Sequence, residues 1–160
     1  MYKRILVPTD GSPISSLAAD AALQLARACG SEIVALSVAF PGAYFGGAER
    51  GLVSGAGPEV DRLLEQAHDR AAAVAGRAQA AGLPCTTLAT YSLSPGDTII
   101  DTARDRQCDL VVMGSHGMRG LTGELAGSVT RHVLACSAVP VMVLRPPRPD
   151  ALVPATRASF

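Results

Sequence analysis

The residues best placed to do chemistry are glycines and short hydroxyl side chains in one stretch, Gly114-x2-Gly117-x9-Gly127-Ser128. Gly114 and Gly117 let the backbone turn sharply and come close to a ligand. If a helix starts near Gly127, then Gly127, Ser128, Val129 and Thr130 carry amide hydrogens without partners inside the helix. Those amides, with the helix dipole behind them, favour a phosphate. The Ser128 and Thr130 hydroxyls add two more donors. Glycines that merely shape a surface loop would give the same spacing, so spacing alone leaves both readings open. No Lys follows the glycines, which excludes a P-loop, and the pattern is not the GxGxxG of dinucleotide folds. The nearest cation is Arg119, which either meets a polyphosphate or is a solvated loop arginine. Arg131 stands one turn into the helix.

Asp10 is the other polar residue with a possible task. Its carboxylate could accept from an adenine amino group, hold a ribose hydroxyl or assist a bound Mg²⁺. It could equally be an ordinary turn-forming Asp before Gly11. His116, between two motif glycines, could touch phosphate or move a proton, although a lone loop histidine is more often polar surface. His68 and His132 fall in helical patterns and read as ordinary helix residues. There is no nucleophile–His–acid triad and no carboxylate pair with an evident task.

The elements that must position these residues are legible as alternating short apolar runs and amphipathic stretches. Residues 3–8 read as a strand ending at Pro8. Ser12 then caps a helix whose first turn holds Pro13, with Ile14, Leu17, Ala18, Ala21 and Leu25 on one face and Gly30 as its terminator. Ile33 to Phe40 is a near-continuous apolar run, the mark of a strand buried on both faces. A Gly-rich stretch from Pro41 to Gly57 follows, long for a βα connection. Pro58 opens a second helix with Val60, Leu63, Leu64, Ala67, Ala71, Val74 and Ala78 on its face, ended by Gly82 and Pro84. Residues 85–91 alternate enough for an edge strand. Ser94-Pro95 is a second cap-and-first-turn pair, for a helix through Ile99, Ile100 and Ala103 to about Arg106. Leu110 to Met113 is a fourth strand, a helix runs from near Gly127 to about Cys136, and Val139 to Leu144 is a fifth strand with Pro140 near its start.

Five strands alternating with four helices, joined by right-handed crossovers, make a parallel sheet with helices on both faces. Such sheets bind ligands beyond the carboxyl ends of their strands, where the strand order reverses. Pro8-Thr9-Asp10 and Gly114-Ser115-His116-Gly117 both stand at such ends.

Bulk properties narrow the partners. A chain of 160 residues, 48% hydrophobic, suits one domain with a real core. Fourteen Lys and Arg balance fourteen Asp and Glu, so nothing pulls the chain as a whole toward nucleic acid or an anionic membrane. Lys3 and Arg4 precede only Ile5-Leu6-Val7 before Pro8, too short for a signal h-region, and no apolar run approaches a membrane span; a cytoplasmic protein is expected. Cys29, Cys85, Cys108 and Cys136 form no CxxC pair and read as small buried hydrophobes in a reducing compartment. The proline-rich segment 146–160 is expected to be a disordered tail after a domain spanning 1–145.

Taken together, the chain resembles the universal stress proteins. The resemblance covers about residues 2–145 and rests on Lys3-Arg4-Ile5-Leu6-Val7-Pro8-Thr9-Asp10-Gly11-Ser12, Asp109-Leu110-Val111-Val112-Met113-Gly114-Ser115-His116-Gly117, Gly127-Ser128-Val129 and Val139-Pro140-Val141-Met142-Val143. It implies a doubly wound sheet of order 3-2-1-4-5 and a homodimer formed through the last strand, Val139 to Leu144. It further implies that members carrying G-x2-G-x9-G-[ST], as here, bind ATP. Pro8, Thr9, Asp10 and Val38 would line the adenine and ribose pocket, Met113 and Gly114 would flank the ribose, and Gly117, Gly127, Ser128, Val129 and Thr130 would hold the phosphates. Whether the bound form is ATP, ADP or AMP is not written in these residues.

Three functions compete. One is a nucleotide-binding regulatory module in stress response, with at most slow hydrolysis because no positioned base or Lys is evident. A second is a dimeric interaction protein that needs no nucleotide. A third, a nucleotidyltransferase or ATP pyrophosphatase, would require a His-x-x-His or Ser-Gly-Gly signature near the first strand, and neither is present. A phosphorelay receiver would want clustered acids there and a Lys after the fifth strand, where this chain has Asp10 alone and Arg145.

Overall fold

The first strand, β1 (Arg4–Pro8), ends at a proline, and five residues later the chain is already helical. Asp10 makes the turn: its carboxylate accepts the Ser12 amide at 3.0 Å. Ser12 then accepts the Ser15 amide at 3.2 Å, and Pro13 opens α1 (Pro13–Cys29). Gly30 ends that helix in the left-handed conformation, φ +70°, where a Cβ would be strained. The remaining elements are β2 (Glu32–Ala39), α2 (Pro58–Ala80), β3 (Cys85–Tyr91), α3 (Pro95–Asp105), β4 (Leu110–Gly114), α4 (Ser128–Cys136) and β5 (Val141–Leu144). The computed structural model describes residues 1–41, 57–116 and 126–146. The Gly-rich stretch after Pro41, Gly117, Arg119 and nearly all of the C-terminal tail therefore lie outside the described residues.

All five strands are parallel and lie in the order β3-β2-β1-β4-β5. Side-chain alternation divides the core between the two faces. Ile5, Val7, Ile33, Ala35, Leu110 and Val112 pack under α1 and α2, whereas Leu6, Val34, Leu36, Val111 and Met113 pack with Ile99, Ala103 and Val133 of α3 and α4. Both faces of β1, β2 and β4 are thus buried, which is why these strands read as continuous apolar runs. The chain moves outward to β2 and β3 on one side of β1 and returns to β4 on the other. The order reverses between β1 and β4, and that gap is where a ligand crevice belongs.

Four expectations need correction. The buried face of α1 is Ser15, Ala18, Ala19, Ala22, Leu23 and Ala26, whereas Leu17 is 38% exposed and Ile14, Ala21 and Leu25 are half-buried. Alanines and a serine let α1 lie close on the sheet, and the larger residues sit at the rim of that contact. Ser94 stands at the N-cap of α3 before Pro95, as expected, but makes no side-chain cap; its hydroxyl goes to the Asp97 carboxylate instead. The last strand starts at Val141, with Pro140 contributing only its carbonyl, which accepts the Val111 amide at 3.0 Å. Of the four cysteines only Cys108 is buried. Burial pushes its thiol up to about 11, with smaller opposing effects from nearby charges, while Cys136 is exposed. No helix among the described residues is long and apolar enough to cross a membrane.

At the amino ends of the strands, Asp109 ties β1 to β4. Its carboxylate accepts the amides of Lys3 at 2.8 Å and Arg4 at 3.0 Å, and its own amide donates to the Arg4 carbonyl at 3.0 Å. Partial burial pushes this carboxyl up, but those amides and the N-terminal charge together hold it below the usual carboxylate range. A carboxyl lowered by folding stabilises the protein at every pH above its unfolded value, about 3.9. That stability drains away as the pH falls through the folded value. Asp109→Ala is accordingly expected to lower stability by about 1 kcal/mol at pH 7 and to remove part of the acid sensitivity below about pH 4. Urea unfolding at pH 7 and pH 3 checks this; equal losses at the two pH values would contradict it.

Candidate functional site

At the end of β1, Thr9 donates its amide to the Leu36 carbonyl at 2.8 Å. Its hydroxyl lies 3.2 Å from the Ser15 hydroxyl and accepts the Gly11 amide at 3.2 Å. Thr9 is buried, so its side chain shapes the turn and is spent there. Asp10 likewise commits one carboxylate oxygen to the Ser12 amide, the turn-forming role. Gly11 has φ +80°, and a Cβ on it would meet the Arg70 side chain at 3.3 Å, so α2 leans over this turn. Val38 is half-buried on the α3/α4 face of β2, and Pro8 is buried at the end of β1.

At the end of β4 the structure separates the motif glycines by role. A Cβ on Gly114 would lie 3.1–3.2 Å from three atoms of Ile14, one of them main-chain carbon. This glycine therefore seats α1 against β4. The Met113 side chain is buried in the α3/α4 core, so it is not free to line a ligand. Ser115, absent from the expected site, is the staple of the region. Its amide donates to the Leu144 carbonyl at 2.8 Å, its carbonyl accepts the Gly127 amide at 2.7 Å, and its buried hydroxyl lies 3.1 Å from Nδ1 of His116. The Gly127 amide is thus not available to a ligand, contrary to the sequence expectation. The Thr130 hydroxyl is also committed, donating to the Gly114 carbonyl at 3.0 Å. No signal in the sequence marks either bond, because each joins residues more than ten positions apart.

What remains is the start of α4. Gly127 stands at its N-cap with φ −66° and ψ 164°, brings no side-chain cap, and no acidic residue occupies the first turn. The other three helices differ: α1 is capped by Ser12, and α2 and α3 carry acids in their first turns. The amides of Ser128, Val129 and Thr130 have no partner inside the helix and donate to no side chain among the described residues. They point outward with the positive end of the helix dipole behind them. The site can bind an anion with main-chain donors, and glycine at the cap leaves room for it to approach. Among the described residues no three His, Cys, Asp or Glu side chains converge on a metal.

Residues 1–145 match the family model for universal stress proteins. The chain belongs to the universal stress protein family. It is 30% identical to a universal stress protein of Methanocaldococcus jannaschii over 94% of this chain and 86% of that one. Its fold superposes on a universal stress protein from Lactobacillus plantarum with a TM-score of 0.72, at 27% identity over 90% of this chain and 98% of that one. A universal stress protein solved in complex with cAMP matches at 28% identity, TM-score 0.58, over 90% and 97% of the two chains. The family resemblance and the 3-2-1-4-5 sheet expected from the sequence are both borne out.

Proposed function

We propose that this universal stress protein is an adenine-nucleotide-binding regulatory module whose phosphate site is the start of α4. The observation that carries this reading is the bare α4 N-terminus: Ser128, Val129 and Thr130 offer three main-chain donors with neither a side-chain cap nor a local acid competing for them. The intact Gly114-x2-Gly117-x9-Gly127-Ser128 spacing and the cAMP complex of a relative support it. Pro8, Asp10, Val38 and the Met113 backbone stand at the ends of β1, β2 and β4, where an adenosine extending from that phosphate would lie. A magnesium ion accompanying ATP would be held chiefly by phosphate oxygens and water, since the described residues supply no acidic cage. In the same reading the protein pairs with a second copy along β5, an edge strand that exposes Met142.

The test is thermal unfolding with and without Mg-ATP, ADP and AMP. Ligand at about 100 times its dissociation constant adds about 2.7 kcal/mol, so Tm is expected to rise by about 5–10 °C with at least one of them. An unchanged Tm with all three would favour the interaction protein that needs no nucleotide.

A further inference from the structure

The helix that carries the anion donors is weakly held. Only Thr130 and Val133 of α4 are buried, so its position depends on a few specific ties. Two have been described, Thr130 to the Gly114 carbonyl and Gly127 to the Ser115 carbonyl. A third comes from outside the sheet. His132 Nε2 lies 2.6 Å from an Asp97 carboxylate oxygen on the first turn of α3. The other oxygen of Asp97 takes the Ser94 hydroxyl. The imidazole also packs against Gly96 of α3: a Cβ there would come within 2.6 Å of its Cδ2 and 3.2 Å of its Cγ. Glycine at 96 is therefore what admits the ring. The Ser94 bond and then the His132 bond hold the Asp97 carboxyl below its ordinary range, as expected for a carboxylate that accepts from both sides.

We infer that His132, seated on Gly96 and bonded to Asp97, is the positioning residue that sets where the α4 amides stand and so tunes phosphate affinity. The inference rests on the nucleotide reading above. His132 is four residues after Ser128, one turn along the same helical face, so a shift of its ring moves the first turn directly. Ser94 and Asp97 lie at the carboxyl ends of the strands, because α3 begins directly after β3, and the clasp grips α4 at its midpoint, one turn in from Ser128. Nothing in the arrangement makes His132 a catalytic residue. It meets Asp97, and its role is exerted through the helix.

The experiment compares wild type with His132→Ala and His132→Gln, the latter restoring a donor at nearly the same reach. ADP affinity is measured by calorimetry, and the amide resonances of Ser128, Val129 and Thr130 are compared in the free proteins. His132→Ala is expected to weaken ADP about fivefold and to shift those three resonances, while amides of Leu6 and Val34 stay in place. His132→Gln is expected to recover most of both effects, which simple loss of packing would not do. Wild-type ADP affinity together with unmoved amides in His132→Ala would overturn the inference. Should wild type itself not bind ADP, the nucleotide reading fails, and the amide resonances alone still decide whether the clasp positions α4.

Discussion

A Gly127→Val variant is expected to fold as the wild type does and to bind ADP about a hundredfold more weakly or worse, a loss of about 2.7 kcal/mol. The fold should tolerate the change. A Cβ at this position lies 3.7 Å from the His116 Cα and the Ser115 carbonyl oxygen, ordinary contact distances, and the backbone at φ −66° suits any residue. Replacing glycine by valine at an N-cap costs about 1 kcal/mol or less, a Tm change of a few degrees. The ligand should not tolerate it. A branched side chain at the cap would stand where the phosphate must approach the Ser128, Val129 and Thr130 amides, and charge-assisted bonds are the strong ones to lose. Calorimetry with ADP beside a melting curve separates the two effects. Full affinity in a well-folded variant would move the phosphate elsewhere.

Gly114→Val is expected to do the opposite, damaging the fold first. The new Cβ would sit 3.1 Å from Ile14 Cγ2 and 3.2 Å from both Ile14 Cγ1 and the Ile14 main-chain carbon. The side chain can rotate away; the backbone of α1 cannot without lifting from β4. Overpacking of this kind costs about 3 kcal/mol, or a Tm lower by about 6–12 °C. Adding Ile14→Ala should return only part of that, because the main-chain carbon stays. Urea denaturation of the wild type and the two variants measures it, and unchanged stability in Gly114→Val would show that α1 does not need this glycine. On the proposed reading, the two glycines of one motif have different reasons to be glycine: Gly114 seats α1 against β4, and Gly127 leaves room for the phosphate.

That distinction shows how far sequence reading carries. Strand and helix order was legible because β1, β2 and β4 are buried on both faces, and because Ser12-Pro13, Pro58 and Gly30 punctuate helices by local chemistry alone. The phase of α1 was not, since alanines carry little hydrophobic signal and Leu17 drew the predicted face toward the rim. Gly127 and Ser128 drew attention to the start of α4 as a candidate anion site, but the contacts around it were not legible. Ile14 and Gly114 are a hundred residues apart, Ser115 closes onto Gly127 across a loop, and Asp97 meets His132 between two helices. Such pairings exist only once the sheet has ordered the elements. The Thr130 hydroxyl, counted from sequence as a ligand donor, is instead spent on holding its own helix.

Main-chain amides at the start of α4 are the feature on which the proposed function depends, and they can be observed one by one. In an amide proton–nitrogen titration of the ¹⁵N-labelled protein with ADP, the resonances of Ser128, Val129 and Thr130 should move together and saturate. Those of Lys3, Arg4 and Asp109, at the far end of the sheet, should stay fixed. Saturable binding in which the three α4 amides remain still, while others move, would contradict the assignment of the phosphate to this helix.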